Sequence, residues 1–88
     1  MAYTSGRIFS GTKSIDTNAV QLHATQVCRE VIVQNDSANL GNLLIGTATS
    51  QPLVITPGQS INLPVFSLGL IYVKMSSGTG TINWLARD

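Results

Sequence analysis

From Ser37 to Val73 this chain carries no charged side chain, yet no apolar run in it is long enough to cross a bilayer. Short apolar bursts (Val31-Ile32-Val33, Leu43-Leu44-Ile45, Leu53-Val54-Ile55, Ile61 to Val65, Leu70 to Val73) alternate with clusters of Gly, Pro, Asn and Ser. The spacing is about ten residues, the rhythm of strands joined by tight turns. An amphipathic helix needs apolar residues three and four apart over at least ten positions, and no such stretch competes. The pattern predicts an all-β, antiparallel two-sheet sandwich, jelly-roll-like, with about eight short strands.

Individual segments sharpen that expectation. Val20 and Leu22 alternate with Gln21 and His23, and Val27, Arg29, Val31 and Val33 alternate with Cys28, Glu30, Ile32 and Gln34. Thr56-Pro57-Gly58-Gln59 has Pro and Gly where a type II turn needs them. Pro52 and Pro64 lack an N–H for a central ladder and belong at sheet edges or strand ends. Ser76 to Gly80 reads as the tip of a last hairpin leading to a strand with Ile82, Trp84 and Ala86 on one face and Asn83, Leu85 and Arg87 on the other. Residues 1–18 alternate too weakly for a strong strand, so the chain divides into an N-terminal arm or edge strand over 1–18 and a sandwich domain over 19–88.

Size and charge then limit what such a sandwich does. A domain of 88 residues hides only about 60–65% of its unfolded surface. The one cysteine, Cys28, makes no intrachain disulfide, and no Cys/His spacing fits a structural zinc. Self-association is the remaining source of buried area, and a chain with only 10% charged residues has a largely neutral surface that does little to keep copies apart. The five bases, Arg7, Lys13, Arg29, Lys74 and Arg87, are scattered, so no nucleic-acid patch is expected. No signal peptide and no membrane span is read, and an unpaired cysteine fits synthesis in a reducing cytoplasm.

Chemistry-bearing groups are few. His23 and Cys28 lie five residues apart, a spacing open to a base and nucleophile meeting across a hairpin; the other reading has His23 facing solvent or a neighbouring subunit and Cys28 as a small buried hydrophobe. Asn35, Asp36, Ser37 and Asn39 offer oxygen ligands for calcium, or form a turn in which short polar side chains bond their own backbone. Trp84 either fills the core or stacks on a sugar ring, and Tyr72 belongs on the face opposite Ile71 and Val73. Asp16, Glu30, Asp36 and Asp88 fall in separate segments, so no acid pair is read; neither catalysis, nor a cofactor, nor a metal site is expected.

The run VIVQNDSANLGNLLIG, followed by LVITPGQSINLPVFSLGLIYVKMSSGTGTINWLA, resembles small β-sandwich virion proteins of tailed bacteriophages. The shared order is a VQND turn, a GN-apolar-apolar-apolar-G strand, a PGxSIxLPV corner, an IYVK strand and a Gly-rich hairpin before a terminal NWLA, covering about Cys28 to Ala86. The resemblance implies a capsid decoration (cement) protein, made in the host cytoplasm and bound to the outer shell as a homo-oligomer, a trimer favoured. Its partners would be copies of itself and the major capsid protein, with Tyr3, Arg7, Ile8 and Phe9 contacting the shell. A receptor- or glycan-binding fibre head and a minor tail or baseplate adaptor are the alternatives.

Overall fold

Ile82, Trp84 and Ala86 turn inward while Leu85 and Arg87 face out, so the last strand has the half-buried alternation that its sequence predicts. The computed structural model describes residues 7–88. Its strands are β1 (Ile8–Ile15), β2 (Val20–Gln21), β3 (Glu30–Asn35), β4 (Leu43–Gly46), β5 (Leu53–Ile55), β6 (Ser60–Leu63), β7 (Tyr72–Met75) and β8 (Gly80–Arg87). A single 3-10 turn, Leu68–Leu70, precedes β7, with the Ser67 hydroxyl accepting from the Gly69 N–H at 3.2 Å.

The strands form two four-stranded antiparallel sheets, β1-β8-β3-β6 (sheet A) and β2-β7-β4-β5 (sheet B). Strand one pairs with eight, two with seven, three with six and four with five. A ribbon of such pairs rolled until β8 meets β3 and β7 meets β4 is the jelly roll, so the expected sandwich is the observed one. The prolines fall as their chemistry requires: Pro52 precedes the edge strand β5 and Pro64 follows the edge strand β6. Gly58 has φ +84°, and the Gln59 N–H donates to the Thr56 carbonyl at 3.0 Å, closing the type II turn.

Between the sheets lie Val31 and Val33 of β3, Ile82 and Ala86 of β8, Leu43 and Ile45 of β4, and Val73 and Met75 of β7, each at most 1% exposed. Burying a Val, Leu or Ile of this kind contributes about 1.5–3 kcal/mol, so this inner layer supplies most of the driving force. Trp84 lies over Gly11, its register partner on β1, where a Cβ would stand 2.7 Å from the indole. The indole occupies the space that any larger residue at position 11 would fill.

In the stretch read as an arm or an edge strand, Ile8–Ile15 is an eight-residue edge strand despite its weak alternation, its inner face filled from β8. Two local expectations are corrected. The 27–34 alternation breaks: Cys28 and Val31 are both buried and Val27 is 64% exposed, since the ladder to β8 starts only at Glu30 and Val27 instead bridges Ser67. Residues 76–80 are no hairpin tip, for β7 and β8 belong to opposite sheets and this loop crosses between them.

Candidate interaction surfaces

Pairing of β1 with β8 brings Arg7 beside Asp88, where Nε and Nη2 donate to Oδ2 at 3.0 and 2.6 Å. The same guanidinium lies 5.4 Å from the centre of the Phe9 ring, within cation–π reach. Of the residues expected to contact a shell, Arg7 is thus engaged by its own fold, Phe9 packs partly buried against the core, and Ile8 stands 68% exposed on the outer face. Tyr3 lies outside the described residues. Next to Ile8 in register, Arg87 pairs with Glu30 of β3; hydrogen bonds from Arg87 and then Asn62 hold the Glu30 carboxyl below its ordinary range.

The outer face of sheet A is a set of cross-strand rows. Leu85 lies directly opposite Ile32, 47% and 40% exposed, flanked by Ser10 and Asn62. The neighbouring row is polar: Thr12 donates to Asn83 Oδ1 at 3.1 Å, and Asn83 Nδ2 donates to Gln34 Oε1 at 3.2 Å and to Asp36 Oδ2 at 3.3 Å. Between the two rows runs a shallow depression of about 260 Å³ lined by Ile32, Leu85, Gln34, Asn83, Ser60 and Trp84. On the outer face of sheet B, Leu44 sits between Lys74 and Val54 (55% exposed), and Tyr72 is half-buried on that same side, as its alternation predicts.

At one end of the sandwich the loops before β3 and before β7 present Phe66, Val27 and Leu70, 84%, 64% and 59% exposed. They are held there by backbone pairing, the Cys28 N–H to the Phe66 carbonyl at 2.9 Å and the Leu68 N–H to the Gln26 carbonyl at 3.1 Å. Sequence reasoning assigned no role to these three, because apolar residues next to turns look the same whether the fold covers them or not.

Several of the groups considered for chemistry are engaged within the fold. Cys28 is buried, with its thiol donating to the Val65 carbonyl at 3.2 Å; burial, and then the charge of Asp88, push its pKa up. The exposed His23 ring packs against Trp84, centroids 5.1 Å apart and planes tilted by 45°. Trp84 itself is 7% exposed and belongs to the core.

The 35–39 loop is tied inward. Asp36 Oδ1 accepts the Ala38 N–H at 2.9 Å, an Asx turn that, with Asn83 second, holds the carboxyl below its ordinary range. Asn35, fully buried, donates to the Ile55 carbonyl at 2.8 Å and the Gly41 carbonyl at 3.1 Å, and accepts from Asn39 at 2.6 Å. Asn39 also clasps Thr81, donating to its carbonyl at 2.6 Å and accepting its N–H at 2.9 Å. Among the described residues no group of three or more His, Cys, Asp and Glu is placed to hold a metal ion. Compared with known proteins, the chain matches no family model, no curated protein and no solved structure.

Proposed function

We propose that this protein is a structural component of a tailed-phage virion, a capsid decoration (cement) protein that coats the outer shell as a small homo-oligomer. The observation that carries the self-associating part is the exposed apolar set, Phe66, Val27 and Leu70 at one end with Leu85 and Ile32 on an outer sheet face, on a domain that has no disulfide. A fully exposed large apolar side chain forgoes about 1.5–3 kcal/mol of burial, which contact with another polypeptide recovers. The virion part rests on the resemblance of the segment Cys28 to Ala86 to phage sandwich proteins. The major capsid protein is the second partner, and Ile8, exposed at the start of β1, is the described residue best placed to meet it.

Light scattering on the purified chain, followed by mixing with undecorated phage heads and electron microscopy, tests this reading. A dimer or trimer that occupies the heads at saturation supports it. A hexamer that binds tails alone moves the protein to a tail or baseplate ring. A subunit that stays single at millimolar concentration and ignores the heads overturns the proposal. Saturable oligosaccharide binding lost on changing Gln34 or Asn83 would instead favour a fibre head, whose sugar would lie in the amide-lined depression of sheet A.

A further inference from the structure

The four sheet edges are unequal. Strand β2 has two residues, β5 has three and follows Pro52, and β6 has four and precedes Pro64, so each offers little backbone for pairing. Strand β1 has eight residues, contains no proline and, among the described residues, pairs on one side only. We propose that this open edge is where two copies of the chain meet: β1 pairs with β1 of a second copy, antiparallel across a twofold axis, fusing two sheets A into one continuous sheet.

The hydrogen-bond pattern defines which atoms are on offer. The Arg7 carbonyl accepts the Asp88 N–H at 2.9 Å, and the unbroken register from Ile8↔Arg87 to Ile15↔Gly80 carries that phase along the strand. Arg7, Phe9, Gly11, Lys13 and Ile15 therefore turn their backbone groups to β8, while Ile8, Ser10, Thr12 and Ser14 turn theirs to the open side. The Arg29 N–H donating to the Arg87 carbonyl at 2.7 Å shows the same phase from the other side of β8, because Arg87 faces β3 rather than Ile8.

A second copy matches this edge in one register that employs all four residues. Ile8 lies opposite the partner's Ser14 and Ser10 opposite the partner's Thr12, and the two remaining pairs follow by symmetry, about eight backbone bonds in total. Side chains agree with that register. The two Gly11 residues meet at the axis and add no side chain of their own to the inner face, which the Trp84 indole already covers. Lys13, the one charged side chain of β1, faces inward and meets the partner's Phe9, the kind of ring a cation favours. Lys13 also lines a depression of about 370 Å³ at the open side of the sandwich with Ile15, Asp16 and Val20, which the partner strand would roof.

This inference rests on the reading that the protein self-associates, and it makes the contact twofold where the resemblance favoured a trimer. Ser10→Pro tests it, because the N–H removed is one the β1–β8 ladder does not use and an edge strand tolerates proline there. Light scattering on the full chain is expected to give two subunits per particle for the native protein and one for Ser10→Pro, with circular dichroism unchanged. Amide exchange on the native protein gives an independent reading that holds even if the variant misfolds: the Ser10 and Thr12 N–H groups should exchange slowly at high concentration and fast on dilution. An oligomer that survives Ser10→Pro, or fast exchange at Ser10 and Thr12 within a native oligomer, overturns the edge pairing and leaves the coat-protein reading standing. A native protein that is monomeric throughout overturns both.

Discussion

Asn35→Ala is expected to be among the most damaging single changes in this protein, although position 35 lies next to a turn. The side chain is fully buried and makes three hydrogen bonds, to the Ile55 carbonyl, the Gly41 carbonyl and the Asn39 amide. Truncation leaves the Ile55 carbonyl without its side-chain donor in the interior, at about 1–3 kcal/mol, whereas the Gly41 carbonyl is nearer water and Asn39 keeps Thr81. With the small void that remains, the total is about 2–4 kcal/mol. Set against roughly 4–13 kcal/mol for a domain of this length, that is a large fraction of the whole. The melting temperature should fall by about 10–25 °C. Urea titration followed by the emission of the single, buried Trp84 measures it directly. Asn39→Ala removes the other end of the same network, so the double variant should lose less than the sum of the two singles. In Asn35→Asp the new carboxylate would face two carbonyl oxygens, its pKa would rise on folding, and the deficit should deepen as pH rises. An Asn35→Ala protein within about 0.5 kcal/mol of the native one would refute the idea that this amide clasps β5 to the loop after β3.

Gly11→Ala should destabilise by about 1–3 kcal/mol and shift Trp84 emission to the red, because its Cβ would stand 2.7 Å from the indole and the ring must tip; unchanged emission and stability would mean the ring has room to spare. The Cys28 thiol, raised in pKa by burial, should react with iodoacetamide at pH 8 only as fast as the protein opens, and at full speed in urea. The Glu30 and Asp36 carboxyls are both held below their ordinary values of 4.5 and 3.8, so their contribution to stability is complete above those values and drains away as pH falls through the lower folded range. Asp36→Asn should flatten that acid limb, which a denaturation series from pH 5 to pH 2 would register.

The strands were readable wherever alternation and turn chemistry act locally. Ile82, Trp84 and Ala86 announce an inner face, and Pro57-Gly58 announces the turn at φ +84°. What remained hidden depends on distant partners. The loop 76–80 has the same Ser-Gly composition whether it folds back within one sheet or crosses to the other, and only the pairing of β7 with β4 and of β8 with β3 decides. Asn35 and Asn39 look like ordinary turn residues, yet their bonds reach Ile55 and Thr81, 20 and 42 positions away. Phe9 sits in a Gly/Ser/Thr-rich stretch that reads as an arm or an edge strand, and only the pairing with β8 reveals that its ring packs partly against the core. The exposure of Phe66 has no sequence signal at all, since nothing in its neighbours distinguishes a covered ring from an uncovered one.

The central position of β8 bears on how this chain comes to fold at all. That strand lies between β1 and β3, just as β7 lies between β2 and β4, so each sheet is held together by an element made late. Until the ribosome has released Gly80 to Arg87, β1 lacks its ladder partner among the described strands, and Ile8 waits for Arg87. Assembly must then be nearly all-or-none and governed by distant contacts, on the millisecond-to-second scale of such topologies. A ribosome-bound fragment stopped before residue 80 would expose its strand edges to every other nascent copy, and the growing polypeptide is most open to mispairing in that interval.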